Sequence, residues 1–162
     1  MQEEDIDQIE VTMFTKAISK ETVSELMELN SVDALKLFLS DVGASVYDES
    51  PEFTLRDALV LKLAGSLLRV GVDCSKALSY AEAVLGYHMA KGWNEFQKLI
   101  EDGNQDLFCL IEDNQLARIF VRGRDDGREF DVGAVKPVLL PTTRCEVNVG
   151  RAVRPVMYRA TR

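Results

Sequence analysis

Few side chains in this sequence are of types that do chemistry alone, and their spacing sets limits on what they do together. His88 is the only histidine. It follows Tyr87 at the end of an amphipathic stretch, and no second imidazole exists to complete a zinc site of the HExxH kind. A lone imidazole of this sort reads as a packed or surface residue rather than a base. Cys74, Cys109 and Cys145 are the three thiols. An odd count with no close pair argues against a disulfide framework and against a CxxC zinc or redox site. Free thiols of this kind behave as small hydrophobes. The phosphate-cradling patterns GxGxxG and GxxxxGK[ST] are missing, as is the GxSxG nucleophile elbow. Asp125 and Asp126 lie between Gly123 and Gly127. A calcium loop needs more carboxylates at fixed spacing and a closing Glu, so a tight turn accounts better for these four residues. No set of nucleophile, base and stabiliser types converges in the sequence. The expectation is a protein that is not an enzyme and holds no metal or cofactor.

Charge is the next resource, and it is unevenly spread. The chain carries a net charge of -8 over 162 residues. Residues 1–50 hold 12 acids and 3 bases, whereas residues 111–162 hold 7 acids and 10 bases, 9 of them Arg. Such asymmetry marks either a surface for nucleic acid or another partner, or two faces that neutralise each other within one molecule. Composition is ordinary globular: 46% hydrophobic and 28% charged. A chain of this length buries enough apolar surface to fold without disulfides or metal. No apolar run reaches the ~18 residues of a membrane span. The acidic start MQEEDIDQIE resembles neither a signal nor a transit peptide. A soluble cytoplasmic protein, with no membrane partner, is therefore expected.

The elements that must position these residues fall into a helical part and a strand-rich part. Residues 11–18 read as a short strand or lead-in. Ser19 is a candidate N-cap for a helix through Val23, Leu26 and Met27, with Glu21 at the positive end of its dipole and Asn30 closing it in the left-handed conformation. Ser31 caps a second helix through Val32, Leu35, Phe38 and Leu39, ending near Gly43. A polar break over 44–52 follows. Thr54 and Asp57 have capping-box spacing and open a third helix that is apolar nearly all round, which places it at the centre of the core. Gly65 within it costs ~1 kcal/mol against Ala, which predicts a close helix crossing there. Gly71 ends that helix. Asp73 caps a fourth, through Ala77, Tyr80, Ala81, Val84 and Leu85, which Gly86 and Gly92 weaken. Trp93, Phe96, Leu99 and Ile100 have the spacing of a short helix. Residues 108–112 and 117–122 read as a hairpin through Asp113-Asn114, and Arg124–Gly127 as a second turn. Further strands are expected over 129–134 and 136–140. From Val149 the tail is either strand or a basic helix kinked at Pro155. The fold class is thus α+β: an acidic segment over 1–18, a helical helix-turn-helix-like domain over 19–103, and an antiparallel, β-rich, Arg-rich region over 104–162.

Within this frame, residues 21–86 resemble the winged helix-turn-helix of MerR-like regulators. The opening helix is Thr22-Val23-Ser24-Glu25-Leu26, and the recognition helix is Val32-Asp33-Ala34-Leu35-Lys36-Leu37-Phe38. Asp41-Val42-Gly43 turns where the family turns with Gly. Phe53-Thr54-Leu55-Arg56-Asp57-Ala58-Leu59 is similar to the start of the family's third helix, and Leu67-Leu68-Arg69-Val70-Gly71-Val72 to its end. The resemblance implies a small DNA-binding transcriptional regulator, with Lys36, Arg56 and Lys62 on DNA, helped by Arg residues of the C-terminal region. The sequence departs from the family in several places. Lys36 is the only base of the recognition helix, the wing Tyr47-Asp48-Glu49-Ser50 is acidic, and no dimerisation coiled coil follows.

Those departures support an alternative, a protein–protein interaction module whose acidic N-terminal half docks a basic partner without binding DNA. In either reading a homodimer is expected, because two-fold dimers are the commonest soluble oligomers and a two-fold reader matches a palindrome. Its interface is placed on Trp93, Phe96, Leu99 and Ile100. The competing arrangement for that helix is packing on the chain's own sheet.

Overall fold

A computed structural model describes residues 13–43, 53–133 and 135–161. The wing at 44–52 lies outside the described residues, as does most of the acidic segment over 1–18. The fold is mixed α+β, with helices mostly N-terminal and an antiparallel sheet in the C-terminal part.

The N-terminal corner begins with β1 (Ala17–Ile18). Helix α1 (Lys20–Leu26) follows directly, its first turn closed by the Thr22 N–H donating to Ser19 Oγ at 3.2 Å. Helix α2 (Val32–Asp41) is opened in the same way by Ser31, which accepts from the Ala34 N–H at 3.1 Å. Between them the backbone turns at Glu28, with φ 59, rather than at the expected Asn30. Glu28 takes this unfavoured conformation where Arg159 holds its carboxylate and also donates to the Glu25 and Leu26 carbonyls. Side-chain capping from the far end of the chain here replaces the local Asn signal. Strand β2 (Phe53–Thr54) then pairs antiparallel with β1, Ile18 opposite Phe53.

Helix α3 (Leu55–Arg69) carries the complete capping box: Thr54 N–H to Asp57, 2.9 Å, and Asp57 N–H to Thr54 Oγ1, 3.2 Å. Eight of its side chains are buried, from Leu55 to Leu67, which makes it the central helix. The close crossing at Gly65 is present, since a Cβ there would stand 2.7 Å from the Phe38 ring of α2. Helix α4 (Cys74–Met89) runs on through Gly86. Asp73 precedes it but makes no side-chain cap; its carboxylate accepts from Asn114 of the hairpin turn instead. Helix α5 (Trp93–Glu101) completes the helical part.

Strands β3 (Gln105–Glu112) and β4 (Gln115–Gly123) form the hairpin, joined through Asp113 and Asn114 at φ 49 and 62. Two consecutive positive φ values are those of a type I′ turn. Strands β5 (Glu129–Asp131) and β6 (Arg144–Asn148) add on either side, giving the order β5-β4-β3-β6. Residues 136–140, expected as a strand, pair with nothing and carry the exposed Leu139 and Leu140. Pro137 and Pro141 bracket them and remove ladder donors. Asp113 accepts from Thr142 and Thr143, which fixes where β6 starts.

The tail from Val149 is a helix, α6 (Val149–Ala160), with Pro155 inside it. It packs on α3, β3, α5 and α1. Leu110, Ala117 and Phe120 form a small second cluster, and the main apolar core runs from Phe14 through α3 and the inner sheet face to Met157. Residues on both sides of position 103 belong to it.

Candidate functional site

The three expected DNA contacts do not form one face. Lys36 is exposed on α2. Arg56 lies against α4, with Nη2 3.6 Å from where a Cβ on Gly86 would stand. Lys62 is half-buried beside Glu28, Arg69 and Arg159. Arg56 and Lys62 are six residues apart in one helix, so they project from different sides of it. The exposed stripe of α2 is instead Asp33, Lys36, Leu37 and Ser40, with Asp41 at its end. This is i, i+3, i+4, i+7 spacing, opposite the buried Leu35 and Leu39. Leu37 stands 69% exposed at its centre.

The expected dimer face is inside the molecule. Phe96 is 0% and Ile100 1% exposed, Trp93 is buried, and Leu99 packs partly buried against the same core. Phe14 meets both Trp93 and Phe96 edge-on, at 5.3 and 5.5 Å. The apolar side of α5 is covered by the chain's own sheet and by α6, so these residues are not on the surface of the single chain.

The C-terminal arginines are likewise largely committed. Arg118 pairs with Glu129 and Asp131, Arg122 with Glu129 and Glu146, and Arg124 with Asp106 at 2.7 Å. Arg118 and Arg122 also lie over the outer-face rings of Phe120 and Phe108, 4.2 and 4.7 Å from the centroids. Arg154 donates twice to the Ile100 carbonyl, at 3.2 and 2.9 Å, where α5 ends. Arg159 serves the end of α1 in the same manner. Cations at helix C-termini are favoured by the helix dipole. These arginines are spent mostly on acids of the C-terminal part itself, and Arg159–Glu28 alone among them reaches the acidic N-terminal part.

What remains is a groove between α3 and α6. Lys62, Ser66 and Arg69 line it from α3, and Arg151, Ala152 and Pro155 from α6. Val70, Val147 and Asn148 complete it, as does Glu146, whose oxygens are taken by Arg122. Its volume is about 420 Å³. Lys62, Ser66 and Arg69 stand at i, i+4, i+7 and interrupt an otherwise apolar helix. That polar stripe is readable in the sequence, but its partner Arg151 is not, because the spacing of the tail fits strand and helix alike. Burial holds the Lys62 ammonium below its usual pKa; Glu28 opposes this, and Arg69 and Arg159 add to it.

The other chemistry-bearing residues are apart. His88 is 3% exposed on α4, and burial lowers its pKa to about 4. Cys109 is buried on β3, and burial raises its thiol to about 12. Neither group is poised for catalysis near neutrality. Among the described residues, no three His, Cys, Asp or Glu side chains are grouped to hold a metal ion. No helix among them is long and apolar enough to cross a membrane.

No protein family, curated protein or solved structure matches this chain.

Proposed function

We propose that the chain is a regulatory interaction module that docks a basic protein partner through the exposed face of α2. One observation carries this reading: Asp33 and Asp41 flank a single Lys36 around an exposed Leu37. Binding to a nucleic-acid backbone rests on neutralising phosphates with Lys and Arg, and this helix offers one such group. An apolar centre with a charged rim is the usual anatomy of a protein interface. Residues 1–50 as a whole hold 12 acids against 3 bases, the same sign of charge.

A second reading, a DNA-binding transcriptional regulator of MerR-like type, is favoured by the chain order. Strand, helix, turn, helix, strand and helix follow in succession, with β1 paired to β2. That argument is an analogy of fold, and a fold does not fix a function. Fluorescence anisotropy of a labelled mixed-sequence duplex at low salt separates the two. The interaction reading expects no rise with the wild type at tens of micromolar. A rise that falls steeply with added salt and is lost in Lys36→Gln replaces it with the DNA reading. In cells, a photocrosslinking residue at position 37 is expected to capture a basic protein. The same group at exposed Tyr87 on α4 is expected to capture none.

A further inference from the structure

Three cations line the groove between α3 and α6, against one carboxylate, Glu146. Lys62 and Arg69 approach from α3 and Arg151 from α6. Of the acids nearby, Glu146 has both oxygens on Arg122, Glu28 is held by Arg159 while still favouring the Lys62 charge, and Glu101 borders the neighbouring groove beside Arg151. Elsewhere in the described C-terminal part, arginines sit in pairs and networks with acids; here the fold gathers like charges. Like charges lining one groove raise each other's energy unless an anion joins them. Burial is the main reason the Lys62 charge is disfavoured; Glu28 opposes it, and Arg69 and Arg159 add to it. Ser66 adds a hydroxyl between Lys62 and Arg69, and Asn148 a side-chain amide at the far wall. The remaining walls are apolar: Val70, Val147, Ala152 and Pro155. A volume of about 420 Å³ falls in the range of small-molecule sites, ~300–1,000 Å³.

We propose that this groove is a binding site for a phosphate-bearing small molecule, its phosphate held by Lys62, Arg69 and Arg151 and its body against the Val70–Pro155 wall. Arginine suits the task because its planar fork meets two phosphate oxygens at once, and lysine adds a point charge. The apolar wall has no use for a bare anion, so an organic phosphate of nucleotide size fits better than a free one. The proposal is independent of which macromolecule α2 meets.

The test is an NMR titration of the full chain at low ionic strength with adenosine 5′-monophosphate, inorganic phosphate and adenosine as probes. The monophosphate is expected to shift amide signals of residues 62–70 and 148–155 saturably, and adenosine to leave them in place. Monophosphate binding tighter than phosphate supports an organic phosphate as the ligand; equal affinities overturn the role given to the apolar wall. Arg69→Gln and Arg151→Gln, both at exposed positions, are expected to weaken binding at least tenfold each. Arg128→Gln in the far hairpin turn is expected to leave it unchanged. Thermal shift gives a second readout, since a ligand that binds only the folded state raises Tm. Absence of saturable shifts at millimolar probe overturns the proposal. So do equal shifts with adenosine, or Arg69→Gln and Arg151→Gln proteins that bind as the wild type does.

Discussion

His88 shows how little a residue type says without its surroundings. The sequence leaves it as a packed or surface histidine, and burial settles that choice. Its Nε2 meets no hydrogen-bond partner among the described residues, and Tyr87 covers one edge, 5.1 Å between centroids. A neutral imidazole tolerates this position, and a charged one does not. The folded-state pKa is about 4 against 6.5 for the free group, so the unfolded chain takes the proton first as pH falls. Stability contributed by neutral His88 is therefore complete above pH 6.5 and is lost between about 6.5 and 4. The loss is on the order of 3 kcal/mol, because each tenfold difference in proton affinity between the folded and unfolded chain is worth ~1.4 kcal/mol. Urea midpoints measured in the upper part of this window, well above 4.5, are expected to fall in the wild type and to stay flat in His88→Leu. The ion-paired Glu129 and Glu146 carboxylates are also depressed, by Arg118 and Arg122. Their contribution is lost from about their ordinary value of 4.5 downward, so the two effects overlap at the acid end and only the upper part of the window reports His88 alone.

At the scale of elements, what the sequence revealed is what local physics writes. Ser19, Ser31 and the Thr54/Asp57 pair start helices because their side chains satisfy nearby N–H groups, a short-range matter. Asp113-Asn114 turns the hairpin because these residues tolerate positive φ. The failures are non-local. Asn30 lost the left-handed position to Glu28 because Arg159, 131 residues away in sequence, holds it. Asp73 gave up its cap to Asn114 across the fold. The groove's cationic stripe was legible on α3, but only the tertiary fold sets Arg151 opposite it. Gly65 joins the two kinds of information, since its cost in a helix is local and its reason is Phe38. Replacing it with Ala gains ~1 kcal/mol of helix propensity, while a Cβ 2.7 Å from the Phe38 ring brings overpacking of about 1–3 kcal/mol. Gly65→Ala is therefore expected to destabilise in the wild type, by about 1 kcal/mol net. In a Phe38→Leu background, where the ring is gone, the same substitution is expected to be neutral or stabilising. A double-mutant cycle on denaturant midpoints measures the coupling. Additive effects would mean that the crossing does not depend on this contact.

For the whole molecule, the division of the chain into a helical domain and a β-rich region meets a core that crosses it. Helix α6 is the last element in sequence, yet it lies on α1, α3, α5 and β3. Val149, Val153, Val156 and Met157 are buried in that position, each at 0% exposure. Four such side chains contribute about 6–12 kcal/mol of burial, at about 1.5–3 each. That is comparable with the entire ~5–15 kcal/mol that separates a folded domain from its unfolded state. Arg154 and Arg159 add carbonyl contacts at the ends of α5 and α1 that no residue of the helical part replaces. The helices over 19–103 are thus expected not to fold without the tail. A chain ending at residue 148 would expose the groove side of α3 and the seat of α6 together. It is expected to lose both its cooperative thermal transition and the near-ultraviolet circular dichroism of buried Trp93. The fragment 19–103 is expected to behave in the same way. A fragment that instead kept a sharp transition close to that of the full chain would show that α3, α4 and α5 hold themselves. The helical part would then be a domain in its own right, with α6 a removable cover over it.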